Sequence, residues 1–152
     1  MPDLIAHSFG HTRPLCHVIF IFSQYLNLDS LNFQSRIIVS RSHAGKVHDV
    51  AADVFGTEVT VTPAGGAGFK AWEVAAGRQD AYVHTTLIKK WDICAGTALL
   101  RSLGGKMTTL DGSEIDYSGT PAKVKNEGGI LATLHDHDLY VDKLKHIIAT
   151  KR

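Results

Sequence analysis

The sequence predicts an α/β layered domain, a mainly parallel or mixed sheet flanked by helices, and three observations predict it. Strand-like and helix-like segments alternate from Arg36 onward, as they do where helices cross over between strands of one sheet. Glycines follow the helical stretches, at Gly56, Gly77 and Gly104-Gly105, where a left-handed closing residue is wanted. The chain has 152 residues, 44% hydrophobic and 20% charged, enough to bury one core and too few for two independent domains.

Residues 1–35 show no clear period of 2 or 3.6, and Pro2 and Pro14 interrupt any regular element there, so they are read as a poorly specified N-terminal segment. The folded domain is expected over 36–152. Ile37, Ile38 and Val39 form a β-branched run that predicts the first strand. Val47, Val50, Ala51 and Val54 then recur at i, i+3, i+4 and i+7, predicting a helix closed by Gly56. Val59 and Val61 alternate with Glu58, Thr60 and Thr62 as in a half-buried strand,. The cluster Gly65-Gly66-Ala67-Gly68 leads into a helix over Lys70 to Ala76. Ala81 to Thr85 reads as a strand, and Asp92 is expected to begin a helix on which Ala95, Leu99 and Leu103 repeat every four residues,. Met107–Leu110 and Ile115–Tyr117 flank Asp111-Gly112, a pair suited to the positive φ angles of a tight hairpin. Gly129 to Thr133 gives a last strand. A final helix around Asp138 to Thr150 puts Tyr140, Leu144, Ile147 and Ile148 on one face, with Asp136 or Asp138 placed to cap it,.

Sixteen Lys and Arg against fifteen Asp and Glu leave a net charge of +1. No strong field is available for nucleic acid or a membrane surface, and a small-molecule ligand is the default. Cys16 and Cys94 fit neither a metal knuckle nor a disulfide framework,. The apolar run Val18 to Phe22 is far shorter than the roughly 20 residues of a membrane helix. No membrane span, export signal or Asn-x-Ser/Thr acceptor is expected in this chain.

Three segments fall where strands give way to helices, the place in such sheets where ligands gather. Ser40-Arg41-Ser42-His43 offers hydroxyls and an imidazole to a phosphate or sugar hydroxyl, or simply a helix cap. Gly65-Gly66-Ala67-Gly68-Phe69-Lys70 lets main-chain N–H groups approach an anion with Lys70 as an added charge, or merely turns tightly. Its likeness to a dinucleotide fingerprint fails, because the acid at suitable distance, Asp92, begins a helix instead of ending a strand. Trp91-Asp92-Ile93-Cys94-Ala95-Gly96 places a carboxylate at a helix entrance, as a cap or as a ligand for a hard cation. His135-Asp136-His137-Asp138 could offer metal ligands, but helix capping explains its acids.

Trp91-Asp92-Ile93-Cys94-Ala95-Gly96, followed by Leu99-Leu100 and Leu103-Gly104-Gly105, resembles the second signature of the inositol-monophosphatase-like phosphatases. Ser40 to His43, the glycine loop, Ile88-Lys89-Lys90 and Met107-Thr108-Thr109-Leu110 are similar to the branch that removes the 3′-phosphate of 3′-phosphoadenosine 5′-phosphate, its Golgi-resident form above all. The likeness covers about Arg36 to the last helix, the C-terminal half of the family's domain. It implies Mg²⁺-dependent, lithium-sensitive hydrolysis of a small-molecule phosphomonoester, either adenosine bisphosphate or an inositol phosphate, with a Golgi-lumenal location for a full-length relative. Asp92 would be a metal ligand, and Ser40, His43, Gly66 and Lys70 would contact the substrate. The family's Asp-Pro-Leu/Ile-Asp-x-Thr signature is missing: Pro2, Pro14, Pro63 and Pro121 are none of them preceded by Asp. No catalytic residue is therefore expected in this chain. A catalytically inactive fragment that binds nucleotide or phosphate, or assembles with an intact relative or as a homo-oligomer, is the alternative.

Overall fold

Three consecutive β-branched residues, Ile37, Ile38 and Val39, are at most 1% exposed and form the middle of β1 (Arg36–Ser40). Burial of adjacent residues means that both faces of the sheet are covered. The computed structural model describes residues 35–43, 52–56, 58–118 and 124–150, with the main chain alone at 43 and 146–150. The chain divides into two compact units, Met1–Phe33 and Gln34–Arg152, and every described residue belongs to the second. The elements after β1 are β2 (Thr60–Ala64), α1 (Ala67–Ala75), β3 (Ala81–His84), β4 (Ile88–Lys89), α2 (Cys94–Ser102), β5 (Lys106–Thr108), β6 (Lys125–Asn126), β7 (Ile130–Thr133) and α3 (His137–Thr150). A helical turn at 52–55 lies between β1 and β2. No described helix is long and apolar enough to cross a membrane.

Five strands pair in the order β2-β1-β3-β7-β5. β1 lies parallel to both β2 and β3, with Ile38 opposite Thr62 and Tyr82. β7 runs antiparallel to β3, pairing Ile130 with His84, and β5 antiparallel to β7. The sheet is therefore mixed, and a small β4-β6 ladder stands beside it. Because side chains alternate along a strand, Ile38, Tyr82 and Ala132 pack under α1 and α2 with Val74, Leu100 and Met107. Ile37, Val39, Val83 and Leu131 pack on the other face with Tyr140, Val141 and Leu144 of α3, where Val54 and Phe55 join them. The result is three layers, helix, sheet and helix.

Gly96 lets α2 lie against α1, since a Cβ there would come 2.6 Å from the Ala71 Cβ. That contact accounts physically for the glycine that ends the Trp91–Gly96 segment.

Several expectations are corrected. α1 begins at Ala67, three residues before Lys70, because Gly66 at φ 71 turns the chain directly into it. Asp92 does not open α2: Lys90–Asp92 is a 3-10 turn, Ile93 holds the N-cap position, and no side chain caps the helix. The hairpin around Asp111-Gly112 shrinks to a single bridge, Thr108 to Glu114. Only Gly112 takes a positive φ there. Ile115 turns into the core instead, and Tyr117 is held by Thr97 at 2.6 Å, so the second strand leaves the ladder. Asp136 sits at φ 53, outside the extended region from which a cap side chain reaches the helix N–H groups. Asp138 lies in the first turn of α3 and pairs with Lys106 at 3.3 Å. The expectations for Val47, Val50 and Ala51, for the side chains of Ile147 and Ile148, and for residues 1–34 fall outside the described residues.

Candidate functional site

β1, β2 and β3 run the same way, so their carboxyl ends bring Ser40, the Ala64-Gly65-Gly66 turn and His84 to one edge of the sheet. Three of the expected residues meet here. Ser40 Oγ lies 3.0 Å from His84 Nδ1. The β2–α1 turn presents the first N–H groups of α1, which no side chain caps and which suit an anion. Lys70 is 2% exposed, and its ammonium folds back on the turn, donating to the carbonyls of Gly66 at 2.9 Å and Ala64 at 3.4 Å. Burial lowers its pKa, and the Arg41 guanidinium lowers it further. The residue is first of all a clamp on the glycine turn, and its ammonium also lies 5.0 Å from the Tyr82 ring centroid.

Asp92 lies in the 3-10 turn that follows β4. It is exposed, and it is freed from the capping role by Ile93. Its charge raises the pKa of Tyr82, behind the larger effect of burial, so the carboxylate lies within electrostatic reach of this cluster. Trp91, 57% exposed, stands next to it with Lys89 Nζ 4.7 Å from its ring centroid. The His43 side chain lies outside the described residues.

Three further residues carry no assigned role in the sequence reading, although Arg41 lies within the segment Ser40-Arg41-Ser42-His43. His84 ends β3 and contacts Ser40 through Nδ1 and Thr86 Oγ1 through Nε2, at 3.1 Å. Tyr82, two residues earlier on the same face, is fully buried, and its hydroxyl has no partner in hydrogen-bonding geometry among the described residues. Ser40 nevertheless stands near enough to ease the rise that burial imposes on the phenol. Arg41 lies over the glycine turn, where a Cβ on Gly65 would come 2.7 Å from its Nη2. The edge thus carries two cations and open N–H groups on the β2 side and a carboxylate on the β4 side, with a hydroxyl–imidazole pair at β1 and β3. An anion and a metal ion can both be served by such a distribution.

Solved structures share this three-layer arrangement. An inositol monophosphatase from Anabaena (Nostoc) sp. PCC 7120 superposes with a TM-score of 0.57 at 26% identity, over 76% of this chain and 44% of its own. A staphylococcal IMPase-II shares the fold, with a TM-score of 0.60 at 22% identity, over 82% of this chain and 49% of its own. The family model for the inositol monophosphatase family matches residues 25–148. The chain belongs to the inositol monophosphatase family. Among curated relatives, an inositol monophosphatase 3 of Danio rerio is 50% identical over 124 residues, 76% of this chain and 36% of that protein. The Golgi-resident adenosine 3′,5′-bisphosphate 3′-phosphatase of Homo sapiens is 48% identical over 122 residues, 76% of this chain and 33% of that protein. The chain spans about a third of the length of these curated relatives.

Proposed function

We propose that residues 36–152 form the substrate-receiving half of a magnesium-dependent phosphomonoesterase that takes adenosine 3′,5′-bisphosphate, with inositol phosphates as the competing substrate class. The observation that carries this reading is the meeting of Ser40, His84, the glycine turn, Lys70 and Arg41 at one sheet edge, beside an exposed Asp92. The turn and its two cations would seat a phosphate, Ser40 and His43 would contact the rest of the substrate, and Asp92 would supply a ligand to Mg²⁺. Relatives named for the two substrate classes match this chain about equally, at 50% and 48% identity, and the nucleotide is preferred on the likeness of Ser40–His43 and the glycine loop to the bisphosphate branch.

Magnesium takes six oxygen ligands in an octahedron. Among the described residues no three His, Cys, Asp or Glu gather that could hold an ion, so Asp92 fits as one ligand of a shell that these residues do not complete. No catalytic residue is assigned within them. The same observation favours a second reading, in which this chain binds the substrate and leaves the chemistry to an intact relative or to an assembly of several copies.

Titration of adenosine 3′,5′-bisphosphate with Mg²⁺ into the purified chain, with phosphate release followed in the same samples, separates the readings. Saturable binding with turnover that vanishes in Asp92→Asn supports the hydrolase. Binding without turnover supports the second reading, and no nucleotide binding overturns both.

A further inference from the structure

We propose that His84 is a positioning residue that accepts the hydrogen bond of the Ser40 hydroxyl, so that Ser40 meets the ligand as a hydrogen-bond acceptor and selects its hydroxyl- or amine-bearing part over its phosphate. This rests on the reading of the sheet edge as a nucleotide site and assigns a task within it.

The assignment follows from the partners of the two ring nitrogens. Nε2 faces Thr86 Oγ1 at 3.1 Å and the Leu87 carbonyl oxygen at 3.5 Å. A carbonyl oxygen can only accept, and a neutral imidazole carries a single N–H, so the hydrogen belongs on Nε2. Nδ1 is then a bare lone pair, and the Ser40 hydroxyl 3.0 Å away donates to it. With its hydrogen committed, Ser40 keeps only acceptor capacity. The Tyr82 hydroxyl, two residues before His84 on the same face, is fully buried and has no partner in hydrogen-bonding geometry among the described residues, so it takes up none of that acceptor capacity.

The sheet holds this arrangement rigidly. Parallel pairing of Ile38 with Tyr82 and of Val39 with Val83 sets Ser40 beside His84. On the other side Gly129 lies so close that a Cβ on it would come 2.5 Å from the His84 carbonyl oxygen. A phosphate oxygen brought to Ser40 would face lone pair against lone pair, whereas a sugar hydroxyl or an exocyclic amine would donate. The phosphate is left to the glycine turn, where N–H groups and two cations face it.

The test reads the ring nitrogens of His84 in the free, histidine-¹⁵N-labelled protein by long-range ¹H–¹⁵N correlation. The signal is assigned by its loss in His84→Gln and its displacement in Ser40→Ala. A protonated Nε2 and an unprotonated Nδ1 are expected; a hydrogen on Nδ1, or on both nitrogens at neutral pH, overturns the proposal. A second arm titrates adenosine 3′,5′-bisphosphate and inorganic phosphate into the same variants. Ser40→Ala and His84→Ala should each weaken the nucleotide about tenfold while phosphate stays within about twofold. His84→Gln, whose amide oxygen can accept from Ser40, should restore most of the loss. Equal weakening of both ligands, or no rescue by glutamine, overturns the selection by Ser40. A chain that binds neither ligand defeats the nucleotide reading, while the state of the ring nitrogens still decides where the proton lies.

Discussion

Replacing Gly96 by alanine tests the close approach of α1 and α2 that sets the helix behind Asp92. The new Cβ would sit 2.6 Å from the Ala71 Cβ, whereas carbon atoms rest at about 3.5–4.0 Å, so the two helices must part by about an ångström. Both partners are buried, Ala71 at 1% exposure. Overpacking of this kind costs about 1–3 kcal/mol, offset in the single variant by the roughly 1 kcal/mol that alanine gains over glycine in a helix. Ala71→Gly removes the opposing methyl group. In the double variant Gly96→Ala/Ala71→Gly the methyl changes helix, and the propensity contributions cancel across the cycle. The double variant should therefore be less destabilised than the sum of the singles by about 1–3 kcal/mol. Urea unfolding followed by far-ultraviolet circular dichroism gives all three values. Singles that add to within about 0.5 kcal/mol would refute the reasoning, since Gly96 would then owe its place to something other than Ala71.

Two pH-linked predictions follow from buried and half-buried groups. Burial pushes the Asp80 carboxyl up, but hydrogen bonds from the Arg36 side chain and main-chain N–H, at 2.6 and 2.7 Å, outweigh it and hold the pKa below its ordinary 3.8. The stability this pair contributes is complete above that value and is lost as pH falls through the lowered one. Asp80→Asn should cost about 1 kcal/mol at neutral pH and flatten the acid limb of the melting curve, which parallel pH series of the two proteins would show. His137 is 7% exposed and is bracketed by Thr108 at 2.8 Å and Thr133 at 2.9 Å. Burial, with the charge of Lys106, lowers its pKa from 6.5 against a smaller opposing pull from Asp138. The neutral ring then stabilises the fold above pH 6.5, and that contribution fades as the solution is acidified towards the depressed value. His137→Ala should cost about 1–3 kcal/mol at neutral pH and remove this slope in the same titration.

The alternation of strand and helix was legible because period 2 and period 3.6 leave different traces. The β-branched run at Ile37–Val39 and the spacing of Tyr140 and Leu144 both ended in the core. Register and direction were not legible. Nothing in Ile130–Thr133 alone distinguishes a strand that runs against β3 from one that runs with it. The contact between Ser40 and His84 depends on pairing across forty-four residues; the only local signal was an imidazole on the last residue of a strand, two positions after a tyrosine on the same face. Asp92 reads as the start of a helix, whether as a cap or as a ligand, because Asp before an apolar, periodic stretch is the usual sign of one. The turn Lys90–Asp92 spends that residue before α2 begins. Lys70 was expected as a charge offered to ligand, whereas the early start of α1 turns its ammonium onto the loop carbonyls.

The stacking of Lys89 on Trp91 gives the site an optical voice. The chain has two tryptophans, and Trp72, on α1, has its own cation, with Arg78 Cζ 5.6 Å from its ring. With Trp72 changed to phenylalanine, the remaining emission would come from an indole adjacent in sequence to Asp92 and in contact with an ammonium. A hard cation held by that carboxylate, as proposed above, would alter the field on the ring and the hold of Lys89. Fluorescence of the unlabelled chain would then register occupancy at this corner of the sheet edge whether or not any bond is broken there.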